Sequence, residues 1–240
     1  MHRSISALPV ALIALWLTAC SNSGGPDARF ACLGDTLPST APSTIHITGR
    51  ISANALNPTA LGGAEVLASH TGTDTLAADT SDTAGLYALT ISTGGTPLSG
   101  YLQVKKSGYL SSYAYPARPL AADAVNNVLL ITSSEFAFLA GLVGVTPVAG
   151  DGFIGVIVKD CQGNPIAGAT VTTSPAGTYR YNSGSTPSSS ATSTSADGVA
   201  YVANVTAGNV TVQANASGHA LRQHIVNAHA DAVTLTEIQP

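Results

Sequence analysis

Charge is what this chain has least of. Asp, Glu, Lys and Arg together make up 9% of its 240 residues, against about a quarter in an ordinary soluble domain. Lys and Arg number nine and the net charge is −4. No basic stripe exists to neutralise a phosphate backbone, so nucleic acid is excluded as a partner. The nucleophile elbow G-x-S-x-G is absent, and no C-x-x-C or closely paired histidines announce a metal site. No cofactor is expected. Apolar residues are not scarce: at 45% they suffice for a core, which excludes disorder from low hydrophobicity. Ala, Thr, Ser, Gly and Val replace the missing charges, a composition that goes with work outside the cytosol. The length allows one or two domains.

The N-terminus reads as a processing signal. Arg3 supplies a positive start, and Ala7–Leu17 is an apolar run of eleven residues. A bilayer span needs ~20, so the run fits a secretory signal instead. It ends in Leu17-Thr18-Ala19-Cys20. These residues resemble the bacterial lipobox, in which small residues precede a cysteine that is acylated after cleavage. The resemblance implies a signal peptide over 1–19, a palmitate-type anchor on Cys20 and attachment to the membrane through lipid. Several acyl chains, at about 0.8 kcal/mol per buried methylene, hold a protein on a membrane almost permanently. Ser21 stands where an aspartate would mark inner-membrane retention, so the outer membrane is expected. Residues 20–43 follow as a flexible tether rich in Ser, Gly, Pro and Thr.

With Cys20 lipidated, Cys32 and Cys161 remain. An even pair in an oxidising compartment points to a disulfide, closing a loop of ~130 residues; two unpaired thiols are the alternative.

The chain repeats itself. "TIHITGRIS", "LGGAEVLAS", "ADTSDTAGLYALTIST" and "GYLQVKKSGYL" have counterparts in "GFIGVIVKD", "IAGATVTTS", "TSTSADGVAYVANVT" and "NVTVQANASGHAL". Gly63-Ala64 matches Gly168-Ala169; Asp82 and Gly85 match Asp197 and Gly198 with a small shift. Each copy alternates with period two: Ile154, Val156 and Val158 on one face, and Val210, Val212 and Ala214 against Thr211, Gln213 and Asn215. Such alternation marks half-buried antiparallel strands. Between two of these runs, "KDCQGNPIAGATVTTSP" reads as a turn. Gly163 tolerates positive φ, Pro165 fixes φ for the reversal, and Gly168 allows a bulge before the next strand.

The pattern V-x-D-x-x-G-x-P-x-x-G-A-x-V, carried by Val158, Asp160, Gly163, Pro165, Gly168, Ala169 and Val171, continues in Asp197, Gly198, Gly208 and Val210. It resembles the carboxypeptidase regulatory-like domains. The second copy, residues 150–240, matches well; the first, 44–132, matches weakly because "SANALNPTALGGAEV" lengthens the turn. The resemblance implies an all-β chain of two seven-stranded, transthyretin-like sandwiches that are not enzymes, and it carries over no active-site residue. Between the copies, residues 133–149 read as a linker containing a short helix. Ser133 or Ser134 would cap it, Glu135 would lie in its first turn, and Phe136, Leu139 and Val143 would share a face.

Candidate chemistry is thin. His219, His224 and His229 are five apart, which on a strand puts neighbours on opposite faces; a metal-dependent enzyme built on them is the weakest reading. Intradiol dioxygenases use a related sandwich, but no two histidines here stand at i, i+2. Hydroxyisourate hydrolase, a transthyretin relative, needs a characteristic C-terminal tetrapeptide that "TEIQP" does not match. Lys159 has no assignable acid and asparagine for an isopeptide bond and reads as a surface lysine. Two segments remain as ligand contacts: 107–119 with Tyr109, Tyr113 and Tyr115, and 176–190 with Tyr179, Arg180 and Tyr181. Exposed tyrosines among small polar residues suit glycan or protein partners, though strand and loop tyrosines of no further role are the plainer reading. A non-enzymatic, membrane-anchored envelope lipoprotein is the expectation, with carbohydrate binding as its alternative.

Overall fold

The alternating runs become strands, nine in each copy. A computed structural model describes residues 27–240. The signal, the lipobox and the lipidation reading of Cys20 lie outside them. The first copy holds β1 (Thr44–Ala53), β2 (Thr59–Ala60), β3 (Glu65–Ser69), β4 (Ala77–Thr80), β5 (Leu86–Ser92), β6 (Tyr101–Lys105), β7 (Ser112–Tyr115), β8 (Ala124–Val125) and β9 (Val128–Leu130). Helix α1 (Ser133–Leu142) follows. The second copy holds β10 (Asp151–Val158), β11 (Thr170–Ser174), β12 (Thr178–Ser183), β13 (Thr186–Ser188), β14 (Val199–Thr206), β15 (Gly208–Ala216), β16 (His219–Ala220), β17 (His224–Ala228) and β18 (Val233–Ile238).

The wiring runs twice. β1 pairs antiparallel with β5 and parallel with β8 and β9; β10 pairs antiparallel with β14 and parallel with β18. β3–β6–β7 and β11–β15–β17 form the facing antiparallel ladders. Period-two burial makes each pair of sheets close on a dry interior. In the first copy this interior holds Ile45, Ile51, Leu89, Ile91, Val104 and Leu130. In the second it holds Ile154, Val156, Val158, Val202, Val210 and Val226. Truncating such a side chain to Ala costs about 2–5 kcal/mol.

Two separate sandwiches were the expectation; instead one sheet serves both interiors. Its nine strands run β13-β12-β14-β10-β18-β7-β6-β3-β4. The seam is the parallel pairing of β18 with β7, in the register Val233↔Ser112 to Thr236↔Tyr115. Side chains alternate across it. Ala114 belongs to the first interior and its partner Leu235 packs there too, whereas Tyr115 packs against the second. The two interiors therefore lie on opposite faces of the shared sheet.

The turn between β10 and β11 is held by Asp160, which is buried. Its carboxylate accepts the backbone N–H groups of Gln162 (2.9 Å) and Asn164 (2.8 Å). Gly85 and Gly198 are true counterparts: both have positive φ, and a Cβ on either would meet a carbonyl oxygen, of Ile51 at 2.3 Å or Val158 at 2.6 Å.

Two expectations shift. α1 forms, but Thr132 caps it, not Ser133 or Ser134: the Thr132 hydroxyl accepts the Glu135 N–H at 3.1 Å. Thr132 has the extended backbone a cap requires. The second concerns residues 27–35, assigned to the flexible tether. They dock on the second copy instead, through a 3-10 turn at Ala28–Phe30. Phe30 is buried in the second interior and stacks on His219 at 4.4 Å, and Cys32 is bonded to Cys161. Apolar burial and the cross-link override the loop-like composition of this stretch.

Candidate functional site

Two of the three tyrosines of segment 107–119, Tyr113 and Tyr115, converge on the seam. Tyr113 lies flat on His229, ring centres 3.4 Å apart, and Tyr101 stands 4.9 Å from Tyr115. Tyr115 also meets His224 edge-on. His224 bonds the Thr236 hydroxyl at 2.7 Å. Burial lowers the pKa of both imidazoles below the usual value; at His229 the charge of Lys105 adds to it. Burial likewise raises the Tyr115 phenol well above its ordinary value. Tyr109 is half-buried against the first interior. This aromatic cluster packs the flank of one copy onto the other.

Segment 176–190 is used differently. The Tyr181 hydroxyl accepts the Val171 N–H and the Tyr179 hydroxyl the Thr173 N–H, each at 3.0 Å. Among the described residues β11 pairs only with β15, so these hydroxyls satisfy donors on its open side. Arg180 donates from Nε to the Val143 carbonyl at 2.7 Å, where α1 ends. A cation there complements the helix dipole. The base of the loop is thus bonded into the fold, and Arg180, Ser185 and Pro187 also line a cavity beneath α1.

His219, His224 and His229 go to separate neighbours: Phe30, Thr236 and Tyr113. Among the described residues no three His, Cys, Asp or Glu gather as metal ligands, and no helix is long and apolar enough to cross a membrane. Lys159 forms an ion pair with Glu237 on the neighbouring β18.

What remains open is a groove beside the seam. Its larger part has a volume of about 520 Å³ and is walled by Leu98, Leu120 and Val125 of the first copy and Ile157, Val199 and Glu237 of the second. Tyr115 and Arg118 stand in its lining. Its smaller part, about 230 Å³, runs beneath α1 against Phe136 and Leu139. Gly155, Tyr201 and Leu235 belong to both. The floor is apolar with a few polar groups at the rim, which suits a slender ligand or an extended chain.

Sequence reasoning passed over a pair of buried hydroxyls. The Ser81 hydroxyl accepts the Ala64 N–H (3.0 Å) and donates to the Leu61 carbonyl (2.8 Å). In the second copy Thr194 does the same with Ala169 (2.9 Å) and Ile166 (2.6 Å). The signal was present: a hydroxyl residue stands four positions before Gly85 and four before Gly198.

No family model matches the chain, and no curated relative matches it. Solved structures similar to it include the shaft pilin SpaA of Lactobacillus rhamnosus GG, at 11% identity over 84% of this chain and 98% of that one, with a TM-score of 0.24. GBS52, a minor pilin of Streptococcus agalactiae, gives 10% identity over 81% and 95%, with a TM-score of 0.26. The Bacillus anthracis TIE protein gives 12% identity and a TM-score of 0.25; the alignment covers 82% of this chain and 34% of that protein.

Proposed function

We propose that this chain is a lipid-anchored protein of the bacterial cell envelope, held through Cys20 at the outer membrane, acting without catalysis as a structural or protein-interaction unit. On this reading residues 44–132 and 150–240 are modules of the carboxypeptidase regulatory-like kind, joined by 133–149, and the partner is an envelope protein. The observation that carries it is where the reactive side chains point. Tyr179, Tyr181 and Arg180 bind backbone within the chain, and His224 and His229 are packed at the seam. The motif ending at Cys20 supports the anchor.

Intact mass of the protein extracted from native membranes tests this. The expected species begins at an acylated Cys20 and contains one internal disulfide that reductant opens. A soluble species with Cys20 unmodified overturns the anchor. Glycan recognition is the alternative, favoured by Tyr115 and Arg118 in the groove lining. A glycan array decides it: binding to no sugar removes that reading.

A further inference from the structure

The open groove follows one face of the shared sheet. Three rows of cross-strand neighbours make its floor. Ile157 lies between Val199 and Glu237, Gly155 between Tyr201 and Leu235, and Phe153 beside Val233. The first two rows line the larger part, and Phe153 and Val233 lie beneath α1. The rows step along β10 and β18, so the groove is a trough. It runs from Arg118 and Gln239 at one end to Phe136 and Leu139 at the other.

Gly155 gives the trough its depth where the two parts join. Glycine inside a strand marks a bulge or a close approach by something else. The irregularity of β10 lies before it, between Gly152 and Ile154. Its φ lies outside the left-handed region, and a Cβ there would meet only the Cδ2 of Leu235 at 3.1 Å and the Thr234 carbonyl at 4.0 Å. Neither backbone conformation nor close packing within the chain requires a glycine, so what it provides is the space above it.

The surroundings select what fills that space. β14, β10, β18 and β7 are each paired on both sides, so the ladders take their N–H and C=O groups. A peptide laid over them would bury amides without partners. Ser69, Asn127, Thr236 and Tyr115 stand in the lining but are bonded elsewhere: to Asp74, the Arg50 N–H, His224 and the Asn227 backbone. Little is left for the hydroxyls of a sugar. A hydrocarbon chain needs no such partners, and its burial is favourable by itself. Charge then sets the head. The larger part has two charged residues in its lining, and one of them, Glu237, is paired with Lys159. The other, Arg118, is exposed and donates to the Gln239 side chain; among the described residues it pairs with no carboxylate. A guanidinium has five donors, so a fork remains for an anion.

We propose that the trough binds one acyl chain with an anionic head. The head sits on Arg118, the chain lies over Gly155, and its end reaches beneath α1 to Phe136 and Leu139. The two parts, about 520 and 230 Å³, offer room of the order usual for small-molecule sites, about 300–1,000 Å³. The proposal goes beyond the structural role and stands whether or not Cys20 is acylated.

Parinaric acid, a fluorescent fatty acid, tests it on the full chain held in amphipol without free detergent. Fluorescence should rise to saturation above the level of amphipol alone. Palmitate and lysophosphatidate are the competitors, and the one that displaces the probe at the lower concentration identifies the head as carboxylate or phosphate. G155V fills the trough and should abolish saturable binding while the melting curve stays in place or moves up. R118E, at an exposed position, should weaken palmitate about tenfold, the ratio one charge-assisted hydrogen bond sustains, and leave its neutral analogue hexadecanol unchanged. Four results each overturn the proposal: no saturable binding by wild type, displacement by neither competitor, wild-type affinity in G155V, or an R118E whose preference between palmitate and hexadecanol is unchanged.

Discussion

The two copies share their wiring but differ in where the third long strand goes. In the first, β4 stays beside β3 at the edge of the nine-stranded sheet; in the second, β12 crosses to β14. The connections explain the difference. Between β3 and β4 the Asp74 carboxylate gathers the N–H groups of His70 and Thr71 and the hydroxyls of Ser69 and Thr71, folding the chain straight back. Those bonds, from Thr71 foremost, hold its carboxyl well below the usual range. Between β11 and β12 the chain instead passes tightly over β14, where a Cβ on Gly177 would meet the Ala203 carbonyl at 2.6 Å and Val205 at 2.7 Å. In both copies the strand then reaches back, by side chain, to the sheet it did not join. Asp79 of β4 accepts the Ala88 N–H on β5 at 2.7 Å, and Tyr179 and Tyr181 of β12 accept from β11. One sandwich tolerates either placement because side-chain acceptors replace the missing ladder.

The largest way to unbalance the copies is through the cysteines. C161S releases a cross-link spanning 129 positions, worth about 4–5 kcal/mol on the chain-entropy view. Denaturant unfolding should then show the second copy losing hydrogen-exchange protection before the first. S81A and T194V test instead how alike the copies are. Each leaves a buried N–H and carbonyl unpaired, so each should cost about 1–3 kcal/mol, and near-equal losses in chemical denaturation are expected. Y181F should lower stability by about 1 kcal/mol, since its hydroxyl and the Val171 N–H are buried together, and Y179F by less.

Acid should act on the seam. His224 and His229 have pKa values lowered by burial in the folded state, so the unfolded chain binds protons more readily. Their contribution is intact above the unfolded value of 6.5 and is lost as pH falls below it towards the folded values. The melting temperature should decline across that range, and H224Q should flatten the decline. D79N, at the exposed link of the first copy, is expected to have the smallest effect, about 0.5–1 kcal/mol.

Much of this was legible in residue order. Alternation in β10 and β15, the Asp160 turn, the helix after Thr132 and the Cys32–Cys161 bond all follow from local chemistry or simple pairing. The seam was not. "VTLTEI" carries the same alternation whether its free side is bare or paired, and parallel pairing across the chain leaves no turn signal beside it. The detour of Phe30 was hidden too: one apolar residue in a Ser- and Gly-rich stretch gives no period. For the tyrosines, composition named the residues, but whether a hydroxyl meets solvent or a neighbouring N–H is decided by strand placement.

The bond between Cys32 and Cys161 has a mechanical consequence. On the proposed anchoring at Cys20, a pull on the protein enters the second copy just after β10, through this bond, and bypasses the stretch from β1 to β9. On that reading the module written first in the chain is outboard of the load, while the one written last is nearest the point of attachment and bears the strain.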